Sequence, residues 1–288
     1  MHLARLLDGE IISADSRQVY KYLNIGTAKP SPAQRVQARH YFIDDLEPDV
    51  EFSAGEFGKR GRAIIDDIVA RGKAPIVVGG SGLYVRSLID GLFEGPGASK
   101  EIRQILEQQV QEGRIAALID ELRKIDPDSA AWADSTKPRR IVRALEVYRA
   151  TGKPLSLHQR EHKITIKFVP IMFGLEWNRK ALYARINERC DEMISRGLLQ
   201  EVEDLEKRGY DESLNALSTV GYAEAFAYRR GKIGYEEMVR LFKQNSRRYA
   251  KRQLTWFRYD NRIRSIKVDP SRKASEIAEE IARIFTEK

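Results

Sequence analysis

The chain has 288 residues, enough for one large domain or two modest ones around a full core. Apolar residues make up 42% and charged residues 32%, with no apolar run long enough for a membrane helix, so a membrane-embedded function is excluded from the expectations. A single cysteine, Cys190, excludes an internal disulfide, and a net charge of +8 favours a polyanionic partner such as nucleic acid or a phosphorylated substrate. Charged residues interrupt the opening from Arg5 onward, so no signal peptide is expected, and a reducing, cytoplasmic setting fits.

Residues 1–7 read as the tail of an amphipathic helix, with Leu3, Leu6 and Leu7 on one side and Gly9 as its stop. Two turns are too few to persist alone, so the chain reads as starting inside an element. Residues 10–14 form a short buried strand that breaks into Asp15-Ser16-Arg17-Gln18 at its carboxyl end, where open α/β sheets bind ligands. There Asp15 can accept a proton, hold a metal-bound water or simply cap the adjoining turn, and the residues alone leave these open. A turn-rich loop over 22–30 and a charged segment to His40 precede a second strand at 41–46 and a helix at 54–71. Residues 74–78 make a compact strand running into Gly79-Gly80-Ser81-Gly82 and a helix at 83–92. Strand, glycine loop and helix aim backbone N–H groups at an anion, with a tight turn as the alternative. Alternating strands and helices predict a parallel sheet.

Residues 94–99 break the pattern, and 100–112, 115–124 and 138–150 are helical and charged, predicting a helical insertion. Strand character returns at 164–175, followed by helices at 179–197 and 198–208, then a loop and helix over 214–230. A long helix at 235–258, a strand at 263–268 and a helix at 274–285 close the chain.

On the long helix, Lys243, Arg247, Arg248, Lys251 and Arg252 fall in one half, opposite Met238, Val239, Phe242, Tyr249, Trp256 and Phe257. Most charge runs are solvated faces, but five cations with no interleaved acid exceed what solubility requires and favour contact with a phosphate backbone. Lys137 to Arg143 give a second basic cluster at a helix start. His158-Gln159-Arg160-Glu161-His162 matches a zinc pattern by letter, but in a polar linker rather than a long apolar-faced helix, and the zinc reading is set aside. Cys190 reads as packing, and Thr219-Val220-Gly221-Tyr222 as a turn before a helix.

Taken together, several segments resemble the tRNA dimethylallyltransferase (tRNA isopentenyltransferase, IPP transferase) family. They are Ile12-Ser13-Ala14-Asp15-Ser16-Arg17-Gln18-Val19-Tyr20, Asn24-Ile25-Gly26-Thr27-Ala28-Lys29-Pro30 and Val78-Gly79-Gly80-Ser81-Gly82-Leu83-Tyr84. The stretch from Arg139 to Val147, Val220-Gly221-Tyr222 and the stretch from Lys251 to Arg258 complete the set, in family order. The resemblance implies an α/β fold, a P-loop NTPase-like parallel sheet core over 1–94 and 160–288 with a tRNA-contacting helical insertion at 95–159. It implies transfer of a dimethylallyl group from dimethylallyl diphosphate to N6 of the adenosine next to the anticodon, in a cytoplasmic, monomeric enzyme that uses Mg²⁺. Asp15 matches the carboxylate that takes the amine proton, and Ser16, Arg17 and Gln18 match the loop that contacts tRNA. Ser81 stands where the family has a threonine beside the substrate adenosine. Arg103, Arg139, Arg140, Arg143, Thr219, Gly221, Tyr222, Lys251, Arg252, Gln253 and Arg258 are the further tRNA-contacting positions, and Arg248 joins them from the basic helix face.

The family opens with a strand and Gly-Pro-Thr-x-Ser-Gly-Lys-Ser/Thr, which holds the diphosphate and Mg²⁺. The sequence starts beyond such a segment, which gives the expectation that the first strand and P-loop are absent, that the diphosphate-binding residues are unassigned and that activity is doubtful. The alternatives are an inactive tRNA-binding relative and, less favoured, a small-metabolite kinase, which would need neither basic cluster.

Overall fold

In the computed structural model, which describes residues 1–93, 100–162 and 164–287, the strand ahead of Asp15 forms as β1 (Gly9–Ser13). All five of its residues are buried, as in a parallel strand covered on both faces. It pairs in parallel with β2 (His40–Tyr41) on one side and β3 (Ala74–Val78) on the other, so the order is β2-β1-β3. The expectation of a core without its first strand is therefore corrected: β1 is present and central. The opening helix α1 (His2–Leu6) also forms despite its length, because Ala4 is buried and the helix packs on β1 and on α14 (Ala274–Thr286).

β2 stops well short of the expected 41–46. Phe42 and Asp44 take left-handed backbone angles, φ 61° and 60°, which end the extended run. Two cations hold that turn: the buried Lys29 ammonium meets the Asp44 carboxylate at 2.5 Å and Arg35, at the end of α2 (Pro32–Arg35), meets it at 2.7 Å. Leu46 rejoins the strand layer only by a bridge to Tyr20. α3 (Ala54–Ala70), capped at its start by Ser53, lays Phe57, Ile65 and Ile68 into the core, and β3 leads into α4 (Gly82–Asp90).

A second parallel pair is made by β4 (Met172–Trp177) and β5 (Ile263–Val268), with Ile266, Val268 and Ile277 at its core. β4 begins later than the predicted 164–175; Pro170, which has no N–H to give a ladder, lies just ahead of it. The remaining helices of this part are α10 (Arg179–Ser195), α11 (Leu198–Lys207), α12 (Tyr222–Arg229) and α13 (Tyr235–Arg258).

The chain divides into two compact units, Met1–Val85 with Phe168–Lys288, and Arg86–Lys167. The second holds α5 (Lys100–Gln111), α6 (Ile115–Ile125), α7 (Pro127–Ala130), α8 (Pro138–Thr151) and α9 (Leu155–Glu161) around Leu106, Leu118, Leu122, Ile141 and Leu145. The break expected at 94–99, and with it the predicted boundary at 94/95, lies outside the described residues. α9 occupies what reads in sequence as a polar linker. Buried Asp126 anchors its first turn by accepting from the Ser156 N–H at 3.0 Å while also accepting from Ser129. The zinc-like residues lie on α9 and just beyond it. His158 bonds Thr151 at 3.1 Å and stacks on Phe93, Glu161 pairs with Lys153, and the described residues contain no group of three His, Cys, Asp or Glu placed for a metal.

Candidate acceptor site

The chain leaves β1 at Ala14, whose N–H donates to Val78 O at 2.8 Å and whose carbonyl accepts from Ser81 N–H at 3.2 Å. β1 and the glycine loop are thereby stitched together at the carboxyl ends of β1 and β3. The next residue, half-buried Asp15, folds back so that Oδ1 accepts from the Arg17 N–H at 2.8 Å and, more weakly, from the Gln18 N–H at 3.4 Å. Ser16 N–H donates to the Ser81 hydroxyl at 3.1 Å, so 65 residues of chain separate two groups that now touch. The cap reading of Asp15 is met by those amides, which both use the same carboxylate oxygen, Oδ1.

Gln18 does not face outward. Its Oε1 accepts from Ser13 Oγ at 3.0 Å and its Nε2 donates to Thr27 O at 3.1 Å, tying the site to the 24–29 loop. That loop is held in turn by Glu201 of α11, whose carboxylate accepts N–H donors from Asn24, Ile25 and Gly26 at 2.8–3.1 Å and the Tyr222 hydroxyl at 2.6 Å. Nothing local in the sequence marks Glu201; its partners lie about 20 and 175 residues away.

α13 closes the other side. Gln253 Nε2 donates to Gly80 O at 3.1 Å; a Cβ on Gly82 would run into the rigid Trp256 indole, so that position needs glycine for the helix to come this near, while one on Gly80 would push aside only the end of the Gln253 side chain. The resulting cleft has a volume of about 360 Å³ and is walled by the rings of Tyr20, Phe52, Tyr84, Tyr249 and Trp256, with Ser16, Ser81, Arg17 and Arg252 as its polar groups. Arg17 is fixed by donating from Nη1 to Asn215 O at 2.6 Å. Burial pushes the Tyr84 hydroxyl far above its ordinary pKa, so it stays a neutral phenol.

The five cations predicted as one face of the long helix divide into two groups. Lys243 pairs with Asp191 at 2.7 Å and Arg247 donates to Asn187 Oδ1 at 2.6 Å, both on α10, so these two knit helices together. Arg248, Lys251 and Arg252 are exposed, as is Arg258 at the end of the helix. Tyr249, expected on the apolar side, is 42% exposed at the cleft.

Tyr222, expected as a tRNA contact, has 0% accessibility; buried against Gly26 and bonded to Glu201, it positions the loop and cannot itself touch RNA. Gly221, also buried, sits at φ 94° against the Phe242 ring, and its N–H donates to Glu224 at 2.7 Å; Thr219 is half-buried just before it. In the helical unit Arg139 and Arg140 are exposed on the first turn of α8. Arg143 and Arg103 instead lie 3.0 and 3.7 Å from the buried Glu146 carboxylate.

A parallel α/β layer with its carboxylate at a strand end, opening onto a basic, aromatic-walled cleft, places the chain among α/β enzymes that act on nucleotide-like substrates. Within that class the model of the IPP transferase family matches residues 18–260, and the chain belongs to this family. It is 43% identical over 282 residues to a tRNA dimethylallyltransferase of Pelotomaculum thermopropionicum, covering 98% of this chain and 90% of the relative. A tRNA dimethylallyltransferase of Geobacillus thermodenitrificans is 43% identical over 287 residues, covering 99% and 91%. Among solved structures, the full-length tRNA isopentenylpyrophosphate transferase of Bacillus halodurans superimposes with a TM-score of 0.71 at 36% identity, over 99% of this chain and 89% of that one. A eukaryotic dimethylallyltransferase acting on tRNA gives 0.82 at 29% identity, over 99% and 75%. These spans also correct the expectation of a family member without its first strand and of doubtful activity. The relatives align along nearly all of this chain and about nine-tenths of their own length, and β1 is in place at the centre of its sheet.

Proposed function

We propose that this chain transfers a dimethylallyl group from dimethylallyl diphosphate to N6 of the adenosine 3′ of the anticodon in tRNA, with Asp15 as the base. Membership of the IPP transferase family makes it a prenyltransferase enzyme acting on a tRNA adenosine. The observation that carries the assignment of Asp15 is its placement: a carboxylate at the end of the central strand, one oxygen held by backbone amides, at the edge of a cleft that a purine would fit.

The amine lone pair attacks the allylic carbon, the carbon–oxygen bond to diphosphate breaks with its electron pair leaving on the diphosphate, and the N6 proton passes to Asp15. An adenine amine is a weak nucleophile, so alignment and proton removal share the barrier. The aromatic walls exclude water and accept a base withdrawn from the anticodon stack, and Arg17 and Arg252 supply positive charge. The exposed cations of α13 and of the α8 start contact the tRNA backbone, and the enzyme works as a single chain in the cytoplasm. Mg²⁺ would accompany the diphosphate. At a diphosphate Mg²⁺ takes its ligands mainly from phosphate oxygens and water, which needs no cluster of protein side chains, and no step runs through it.

The test is nucleoside analysis of tRNA incubated with dimethylallyl diphosphate and the protein or its Asp15→Asn variant. The wild type should yield N6-dimethylallyladenosine, while the variant should lose transfer about 10²-fold or more and bind tRNA with unchanged affinity. Full turnover by the variant would remove Asp15 from the role of base.

A further inference from the structure

Tyr249 is the most exposed aromatic wall of the cleft, at the point where the helix spacing predicts a core residue. On α13 it stands at i with Arg252, Gln253 and Trp256 at i+3, i+4 and i+7, so these four side chains form a single stripe along the cleft. Gln253 and Trp256 are fixed by their fit against Gly80 and Gly82, which sets the rotation of the helix and leaves Tyr249 facing the opening. The Arg252 guanidinium lies 5.6 Å from the Tyr249 ring centroid and rigidifies one side of it. Ser81 and Gln253 line the cleft beside it, and burial raises the pKa of its hydroxyl, with the Asp15 charge adding to the shift, which keeps it a neutral phenol.

A half-open ring on the cleft wall, with the Arg252 cation over one face, has no packing role to account for its exposure. A tyrosine buried for the sake of the core would present its ring to Phe242-like neighbours and not to solvent. We infer that Tyr249 is a specificity-determining residue, whose ring stacks on the substrate adenine and holds its N6 edge toward Asp15. The inference rests on the proposed transferase reading and adds to it a residue that the motif resemblance does not mark.

The test uses the whole protein and a tRNA anticodon stem-loop in two forms, one with the target adenosine and one with an abasic nucleotide in its place. Dissociation constants are measured for the wild type, Tyr249→Phe and Tyr249→Ala, with thermal melts to confirm folding. Stacking of a base on an aromatic ring is worth roughly 1–3 kcal/mol, so the wild type should prefer the adenosine form by about 5- to 150-fold. Tyr249→Phe should keep that preference, and Tyr249→Ala should lose most of it while binding the abasic form as the wild type does. A preference retained by Tyr249→Ala, or lost equally by Tyr249→Phe, would overturn the stacking role. If the wild type binds and modifies no tRNA, the transferase reading itself fails, and the two failures are distinct.

Discussion

Glu10 is the second residue of β1 with its side chain 6% exposed, and the guanidinium that meets it, Arg71 at the C-terminal end of α3, is 34% exposed. Hydrogen bonds from Arg71 outweigh the penalty of burial, with help from the Tyr41 hydroxyl, and hold the Glu10 carboxyl at about 2, against an ordinary 4.5. A depressed folded pKa means that the ionised pair stabilises the fold fully above pH 4.5, and that this contribution drains away as pH falls toward 2. Acid titration of the melting temperature should therefore show a loss across that window, and Glu10→Gln should flatten it while lowering stability at neutral pH. A wild type and variant with parallel acid profiles would refute the coupling. Residue-scale roles of this kind are the least legible in a sequence. Glu10 reads only as the polar start of an apolar run, and Glu201 reads as one acid among many on a helix. Each is explained by partners brought from far along the chain, Arg71 in one case and the 24–26 amides with Tyr222 in the other. The place of Asp15 at the end of a strand was legible, because local pattern reveals where an apolar strand breaks into polar residues. Tyr222 was not, because the motif marks the residue without saying that Glu201 buries it.

At the scale of elements, the long basic helix is readable as a helix and as amphipathic, but not as a helix with two neighbours. Periodicity sorts residues into two halves; α13 in fact packs on α10 along one line and overhangs the cleft along another. The same limit explains β2, which local β propensity extends to residue 46 and which two positive φ angles pinned by Lys29 and Arg35 cut short. The division of α13 makes a differential prediction. Arg248→Ala with Arg252→Ala should weaken tRNA binding and reduce the slope of log K against log salt, by about 0.7 to 0.9 for each phosphate no longer neutralised. Lys243→Ala with Arg247→Ala should instead lower the melting temperature, by removing the ties to Asp191 and Asn187, and leave the salt slope unchanged. Equal effects of the two double variants on the slope would mean that the helix face acts as a diffuse charge and not as two surfaces.

For the whole molecule, the division into two units has consequences for how it unfolds. The helical unit has its own core, in which Leu145 of α8 is fully buried beside Leu106, Leu122 and Ile141. None of these residues belongs to the cluster around β4, β5 and α14. Shortening Leu145 to alanine strips apolar packing and leaves a cavity, at a cost of about 2 to 5 kcal/mol where the surroundings relax only in part. A unit with a separate core should feel that change locally. Native-state hydrogen exchange should then show faster exchange of the α5, α6 and α8 amides in Leu145→Ala, while amides of β1 and β3 keep their wild-type protection. Denaturant unfolding should lose its single transition as the helical unit melts first. If β1 and β3 lose protection in step with α8, the two units form one cooperative system despite their separate cores. The exposed Arg139 and Arg140 of the helical unit would then owe their placement to the integrity of the α/β layer, and destabilising mutations near Asp15 would be expected to loosen the α8 amides as well.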